Sequence, residues 1–223
     1  MGSDNLHHKR KAKKAKDVAR GKALRQRYEK VLIVSEGSKT EPHYFTEIKD
    51  HYEIDTANIR ISGKCGSAPI SVVNHGTELY AEEIAKGLEP YDKVYCVFDR
   101  DTHDSFDEAV LKIKGMKPRG IYHAITSVPC FEVWLLLHFN YSAAPFRASG
   151  NKSAGARVMD ELLRYWPTYK KGQNNAFEHL FNELDSAIHS ANRLNAECKS
   201  RGSDNPTTNI HDLVLYLKDI KAN

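Results

Sequence analysis

Four strand-length runs, separated by segments with helical spacing, decide what this chain can fold into. Val31 to Ser35, Asn58 to Ile61, Lys93 to Phe98 and Gly120 to Thr126 read as strands. Between them lie three segments read as helices. One runs from Thr40 as its cap to about Tyr52, with Pro42 in its first turn; the second runs from near Pro69 to Lys86, stopped by Gly87. The third is capped by Asp104 or Ser105, carries Phe106, Ala109, Val110 and Ile113, and ends before Gly115. Strands spaced by helices form βαβ units, so the expected fold class is α/β, with a mostly parallel sheet and right-handed crossovers.

Beyond Phe139 the pattern changes. Residues 141–155 are rich in Ser, Ala, Gly and Pro and read as a loop. From Asn175, the spacing of Phe177, Leu180, Phe181, Leu184, Ala187, Ile188, Ala191, Leu194 and Cys198 predicts one long amphipathic helix. Pro206 breaks the chain, and Thr208 precedes a last helix through Leu213, Val214 and Leu217 to Asp219. The expected organisation is a basic tail over 1–29, an α/β domain over 30–140 and a helical region over 141–223 packed on it.

Charge is distributed unevenly. The formal net charge is +4, yet residues 1–30 hold 11 Lys or Arg against three acids, leaving 22 against 26 for the rest. Such a tail cannot bury apolar surface; it is either a solubilising leader or a polycation that gathers nucleic acid by counterion release. The longest apolar stretches, such as Phe131 to Phe139, are too short to cross a bilayer, and the N-terminus lacks the apolar core of an export signal, so a cytoplasmic protein without membrane contact is expected. Cys65, Cys96, Cys130 and Cys198 show no Cys-x-x-Cys pair, which disfavours a zinc finger and points to buried thiols in a reducing compartment.

The chemistry is carried by acids at strand ends. Val31 to Ser35 runs into Glu36-Gly37, and Val94 to Phe98 runs into Asp99-Arg100-Asp101. Open α/β sheets bind their ligands at such ends. Alternation along an extended segment turns Asp99 and Asp101 to one side with Arg100 opposite. Carboxylates are the donors that Mg²⁺ prefers, and a cluster of like charges needs a cation to stay ionised. Glu36 is positioned to bind the same ion, bind a second one or handle a proton. Glu132 lies within Phe131, Val133, Trp134, Leu135, Leu136 and Leu137, where a carboxylate must be solvated, paired or liganded. Trp134 and His138 read as core residues, and His103 as an exposed loop histidine.

Glu-Gly after the first strand with Asp-x-Asp after a later one resembles the Toprim domain, a Rossmann-like sheet flanked by helices that is shared by topoisomerases, primases and OLD-type nucleases. Longer segments are similar to the RloB-like family of Toprim proteins. These are Ile33 to Phe45 (IVSEGSKTEPHYF), Phe98 to Asp101 (FDRD), Val128 to Phe139 (VPCFEVWLLLHF), Tyr169-Lys170-Lys171, and Asn205 to Val214 (NPTTNIHDLV). The similarity runs from about residue 30 to the end. It implies that Glu36 is the Toprim glutamate and that Asp99 and Asp101 are the metal-binding pair. Glu41 is the acid after the glycine turn, one residue further from Glu36 than the usual OLD spacing. Glu132 is implied as the downstream acid for a second metal, and Lys170 or Lys171 as a transition-state lysine. The implied activity is a nuclease using one or two Mg²⁺ or Mn²⁺ ions on RNA, transfer RNA included, or DNA. The implied setting is bacterial anti-phage defence by abortive infection, beside an ABC- or AAA-type ATPase; self-association is left open.

Other classes fit less well. Gly37-Ser38-Lys39-Thr40 lacks the full phosphate-loop frame, and Thr102 follows Asp101 one position too early for a dehalogenase-type phosphatase. A glycosyltransferase would use Asp-x-Asp without explaining Glu36-Gly37. The rival outside enzymology is a non-catalytic, metal-dependent module that binds nucleic acid or a partner.

Overall fold

Each segment expected as a strand forms one; in β1, β3 and β4 the side chains alternate between two apolar layers, and in β2 only Ile59 and Ile61 face a layer. In the computed structural model, which describes residues 29–55, 58–63, 66, 68–101 and 103–221, the strands are β1 (Val31–Ser35), β2 (Ile59–Ser62), β3 (Lys93–Asp99), β4 (Tyr122–Val128) and β5 (Thr207–Thr208). Their order is β2-β1-β3-β4-β5. The first four run parallel, and β5 pairs antiparallel with the end of β4 through Ser127–Thr208 and Val128–Thr207. The basic tail up to residue 28 and Cys65 lie outside the described residues; Cys96, Cys130 and Cys198 are buried as expected.

The crossovers are α1 (Thr40–His51), α2 (Pro69–Ala85) and α3 (Phe106–Gly115). Period-two alternation sorts them. Val31, Ile33, Tyr95, Val97 and Ile125 share a buried cluster with Tyr44, Phe45 and Ile48 of α1. Leu32, Val34, Val94, Cys96 and Phe98 pack instead with Val72, Val73 and Leu79 of α2 and Phe106, Ala109 and Ile113 of α3. One helix therefore covers one face and two cover the other.

The remaining helices join the α1 face. They are α4 (Glu132–Leu136), α5 (Ala154–Tyr165), α6 (Ala176–Leu180), α7 (Leu184–Ser200) and α8 (Ile210–Asp219). Trp134, Leu162, Phe177, Leu180, Ala191, Leu194, Leu213 and Leu217 lie in the same cluster as Ile33 and Phe45, so the C-terminal helices complete the sheet's core. Trp134 is fully buried, with its indole N–H donating to the Tyr44 hydroxyl at 2.8 Å. Among the described residues, no helix is long and apolar enough to cross a membrane.

Four local expectations change. The long helix from Asn175 is broken: α6 and α7 are separated by a 3₁₀ turn at Phe181–Glu183, and Phe181 is exposed while Leu180 and Leu184 are buried. A helix over residues 154–165 begins inside the 141–155 stretch read as loop and continues through residues given no element; its apolar positions Val158 and Leu162 are fully buried. Thr40 opens α1 without capping it, and its hydroxyl accepts from the Gly172 N–H at 3.0 Å. Thr207 and Thr208, read only as the approach to a helix, extend the sheet.

Candidate functional site

The strand order reverses between β1 and β3. From β1 the chain goes to β2 on one side, while β3 and β4 lie on the other, and a crevice opens at the C-terminal ends of strands at such a point. Glu36 leaves β1 there and Asp99 ends β3. A cleft of about 700 Å³ at this edge is lined by Glu36, Gly37, Thr40, Glu41, Asp99, Asp101, Cys130, Glu132 and Lys171, with Ser153, Gly155, Ala156, Met159 and Asp160 forming a wall. Five carboxylates expected from the sequence to meet, Glu36, Glu41, Asp99, Asp101 and Glu132, thus share one cavity.

Backbone contacts hold the acids in place. The Asp99 N–H donates to Glu36 Oε2 at 3.3 Å, and the Phe131 N–H donates to Asp99 Oδ2 at 3.0 Å. Asp101 reaches the cleft by a different route from simple strand alternation: β3 ends at Asp99, and Asp101 turns at φ 31° while its N–H donates to the Pro129 carbonyl at 2.9 Å. Arg100 points away as expected, onto Asp204 and Asp107.

Burial sets the electrostatics. Glu41 is 8 % exposed and Glu132 2 %, and each keeps one buried oxygen, Oε2, with no hydrogen-bond partner among the described residues. Desolvation, joined by the charges of Glu132 and Glu36, pushes the Glu41 carboxyl up to about 7. Desolvation, with Glu41 and Glu132, likewise lifts Asp99 well above the usual carboxylate range despite the Phe131 N–H. Glu36 is raised by burial, against the Asp99 N–H and the nearby His103. Lys171 Nζ stands 3.2 Å from Glu132 Oε1, and the Tyr169 hydroxyl points to the same oxygen at 3.5 Å. Burial lowers the Lys171 pKa, but Glu132 and Cys130 outweigh that effect and leave it raised.

The donor set suits a hard divalent cation. Unpartnered carboxylate oxygens, raised proton affinities and a single paired ammonium describe a cluster short of positive charge. Among the described residues no three His, Cys, Asp or Glu side chains already stand together as a ready ligand set. The acids are gathered at the scale of the cleft.

Other expected positions separate. Both lysines are exposed, but Lys171 lines the cleft while Lys170 lies outside the lining, its backbone N–H donating to Gln173 Oε1 at 2.8 Å. His138 is a core residue: its Nδ1 lies 3.0 Å from the Trp134 carbonyl, and burial pushes its pKa down to about 4. His103, read as a loop histidine, stands with Nε2 3.4 Å from Glu36 Oε1. The α5 wall and the Tyr169 hydroxyl were missed. Ser153 did offer a cap signal, since its Oγ accepts from the Ala156 N–H at 3.1 Å ahead of Val158 and Leu162 at helical spacing.

Two glycines bring the loops close enough. A Cβ on Gly37 would meet Glu41 Oε2 at 2.3 Å, so only glycine leaves that carboxylate its place. A Cβ on Gly63, just after β2, would meet the Gly37 carbonyl oxygen at 2.3 Å and Pro42 Cγ at 2.7 Å. Because backbone cannot yield as a side-chain tip does, Gly63→Ala is expected to displace the Glu36-Gly37 turn. The expected loss is roughly 1–3 kcal/mol in a denaturant melt, with weakened Mn²⁺ binding by calorimetry; wild-type values for both would show that the turn has room.

These features define an α/β protein whose mostly parallel sheet carries an acidic cleft at its switch point. The RloB-like protein family model matches residues 31–217, most of the chain, and the protein belongs to that family. No curated protein and no solved structure gives a match.

Proposed function

We propose that this protein is a Mg²⁺-dependent nuclease of the Toprim type that hydrolyses phosphodiester bonds in RNA or DNA. The supporting observation is the convergence of Glu36, Glu41, Asp99, Asp101 and Glu132 on one cleft, with two buried carboxylate oxygens unpaired. Bound Mg²⁺, one ion or two, supplies the positive charge that this cluster lacks and that a phosphate in hydrolysis needs. Asp99, Asp101, Glu41 and Glu132 are the residues to hold it. Glu36, beside His103, takes the proton of the attacking water. The Lys171 ammonium, held at Glu132, donates to the phosphate oxygens as charge builds on them.

The setting is the one that the sequence resemblance implies: anti-phage defence under a partner ATPase. The test is metal-dependent cleavage of transfer RNA, single-stranded DNA and plasmid, with and without that partner. Inert wild-type protein under every condition would leave only a binding role.

The two lysines separate cleanly in this assay. Lys171→Ala is expected to lower the cleavage rate on the order of a hundredfold or more, and Lys170→Ala to stay within about threefold of wild type. Equal losses in both variants would mean that the pair contributes general positive charge.

A further inference from the structure

The segment that carries Lys171 has no secondary structure to place it. Residues 166–175 link α5 to α6, and Lys171 reaches Glu132 from this linker. Before Lys171 the segment is anchored by Tyr169, buried in the core against Trp166; beyond Lys171 the holding contacts come from α1. The Gly172 N–H donates to Thr40 Oγ1 at 3.0 Å, and His43 Nδ1 lies 3.1 Å from the Gly172 carbonyl, so the Nδ1–H donates. Further along, the Asn175 and Phe177 N–H groups donate to the two carboxylate oxygens of Glu47, at 2.5 and 2.7 Å. Thr40, His43 and Glu47 are spaced three and four apart, which puts them on one stripe of α1. The approach is close: Gly172 has φ 76°, and a Cβ there would sit 2.9 Å from Lys39 Cβ.

We infer that this stripe of α1 is a dock that fixes Lys171 in the cleft, with Glu47 as its principal positioning residue. Glu47 is remote from the lining of the cleft and acts through the backbone of the segment. Its carboxylate accepts both N–H groups where α6 begins, Asn175 and Phe177, and so pins the far end of the linker. Thr40 and His43 grip Gly172, the residue next to Lys171. With the linker held at these two points on its far side and by buried Tyr169 on its near side, the long Lys171 side chain has its root fixed one residue from the gripped glycine and aimed at Glu132. The same helix supplies Glu41 to the cleft, so the dock ties the lysine and this acid to one rigid element. The role of Lys171 in chemistry rests on the nuclease reading; the dock itself does not.

The test reads the Lys171 side-chain ¹⁵N resonance in the full-length, lysine-labelled protein, assigned by Lys171→Arg. Glu132→Gln removes the ion pair directly and supplies the reference position. Glu47→Ala is expected to move the resonance at least about halfway toward that position, whereas Glu47→Gln, which keeps one acceptor, moves it less. A Glu47→Ala resonance at the wild-type position overturns the dock. If Glu47→Ala fails to fold by circular dichroism, His43→Ala is read in the same way. In the cleavage assay, Glu47→Ala is expected to lower the maximal rate about ten- to a hundredfold, with half-saturating substrate unchanged. A moved resonance with an unchanged rate upholds the dock and removes Lys171 from the chemistry.

Discussion

Asp99→Ala is expected to abolish Mg²⁺-dependent cleavage, with a loss on the order of a thousandfold, while the fold survives. Asp99 ends the central strand β3 with its carboxylate facing Glu41, Glu132 and Glu36, and its proton affinity is raised by burial and by those neighbours. Removing it takes away a carboxylate that Glu41, Glu132 and Glu36 all surround. It also leaves the Phe131 N–H without its acceptor, a cost of about 1–3 kcal/mol, so the variant is expected to melt a few degrees below the metal-free wild type while remaining folded. Glu36→Gln tests a different step. It keeps the shape of the side chain and an oxygen to accept the Asp99 N–H, but it cannot take up a proton, and a loss of about a hundred- to ten-thousandfold is expected. Cleavage retained by both variants would place the active centre elsewhere.

Glu41→Gln is expected to stabilise the metal-free protein above neutral pH. Burial holds the Glu41 carboxyl at about 7 against an ordinary value of 4.5. Between those values the folded chain binds a proton that the unfolded chain has released, so stability falls as pH rises through the window and stays low above about 7. The full shift corresponds to about 3 kcal/mol, or roughly 5–10 °C in melting temperature for a chain of this size. Glutamine carries no such penalty. In EDTA the variant should melt higher than wild type at pH 8 and close to it at pH 4.5. Saturating Mg²⁺ should narrow the gap at pH 8, because the ion stabilises the wild-type carboxylate by mass action. A variant that melts lower than wild type at pH 8 would mean that the Glu41 charge is already compensated.

The strands were legible because their alternation is simple: Leu32 and Val34 face one layer, Val31 and Ile33 the other, and no residue among them favours another structure. The strand-end acids were legible for the same reason, since Glu36 and Asp99 interrupt apolar runs. What failed depended on distance in sequence. Thr40 looks like a cap until Gly172, 132 residues later, claims its hydroxyl. Helix α5 hides behind Ser153-Ala154-Gly155-Ala156, small residues that signal a loop locally but let the helix start pack against Cys130, whose Sγ lies 3.7 Å from where a Gly155 Cβ would stand. Nothing local distinguishes Lys170 from Lys171; the choice is made by Glu132, at the start of α4. The break between α6 and α7 is silent in the spacing, because Leu180 and Leu184 are buried on either side of it.

The carboxylates of this cleft are expected to take up a divalent cation. Anomalous diffraction from crystals grown with Mn²⁺ tests it directly. The expected result is a Mn²⁺ peak bonded to Asp99 and to at least one of Glu36, Glu41, Asp101 and Glu132, and lost in Asp99→Ala. A well-ordered cleft without a peak at saturating Mn²⁺, or a peak that survives in Asp99→Ala, would contradict the account.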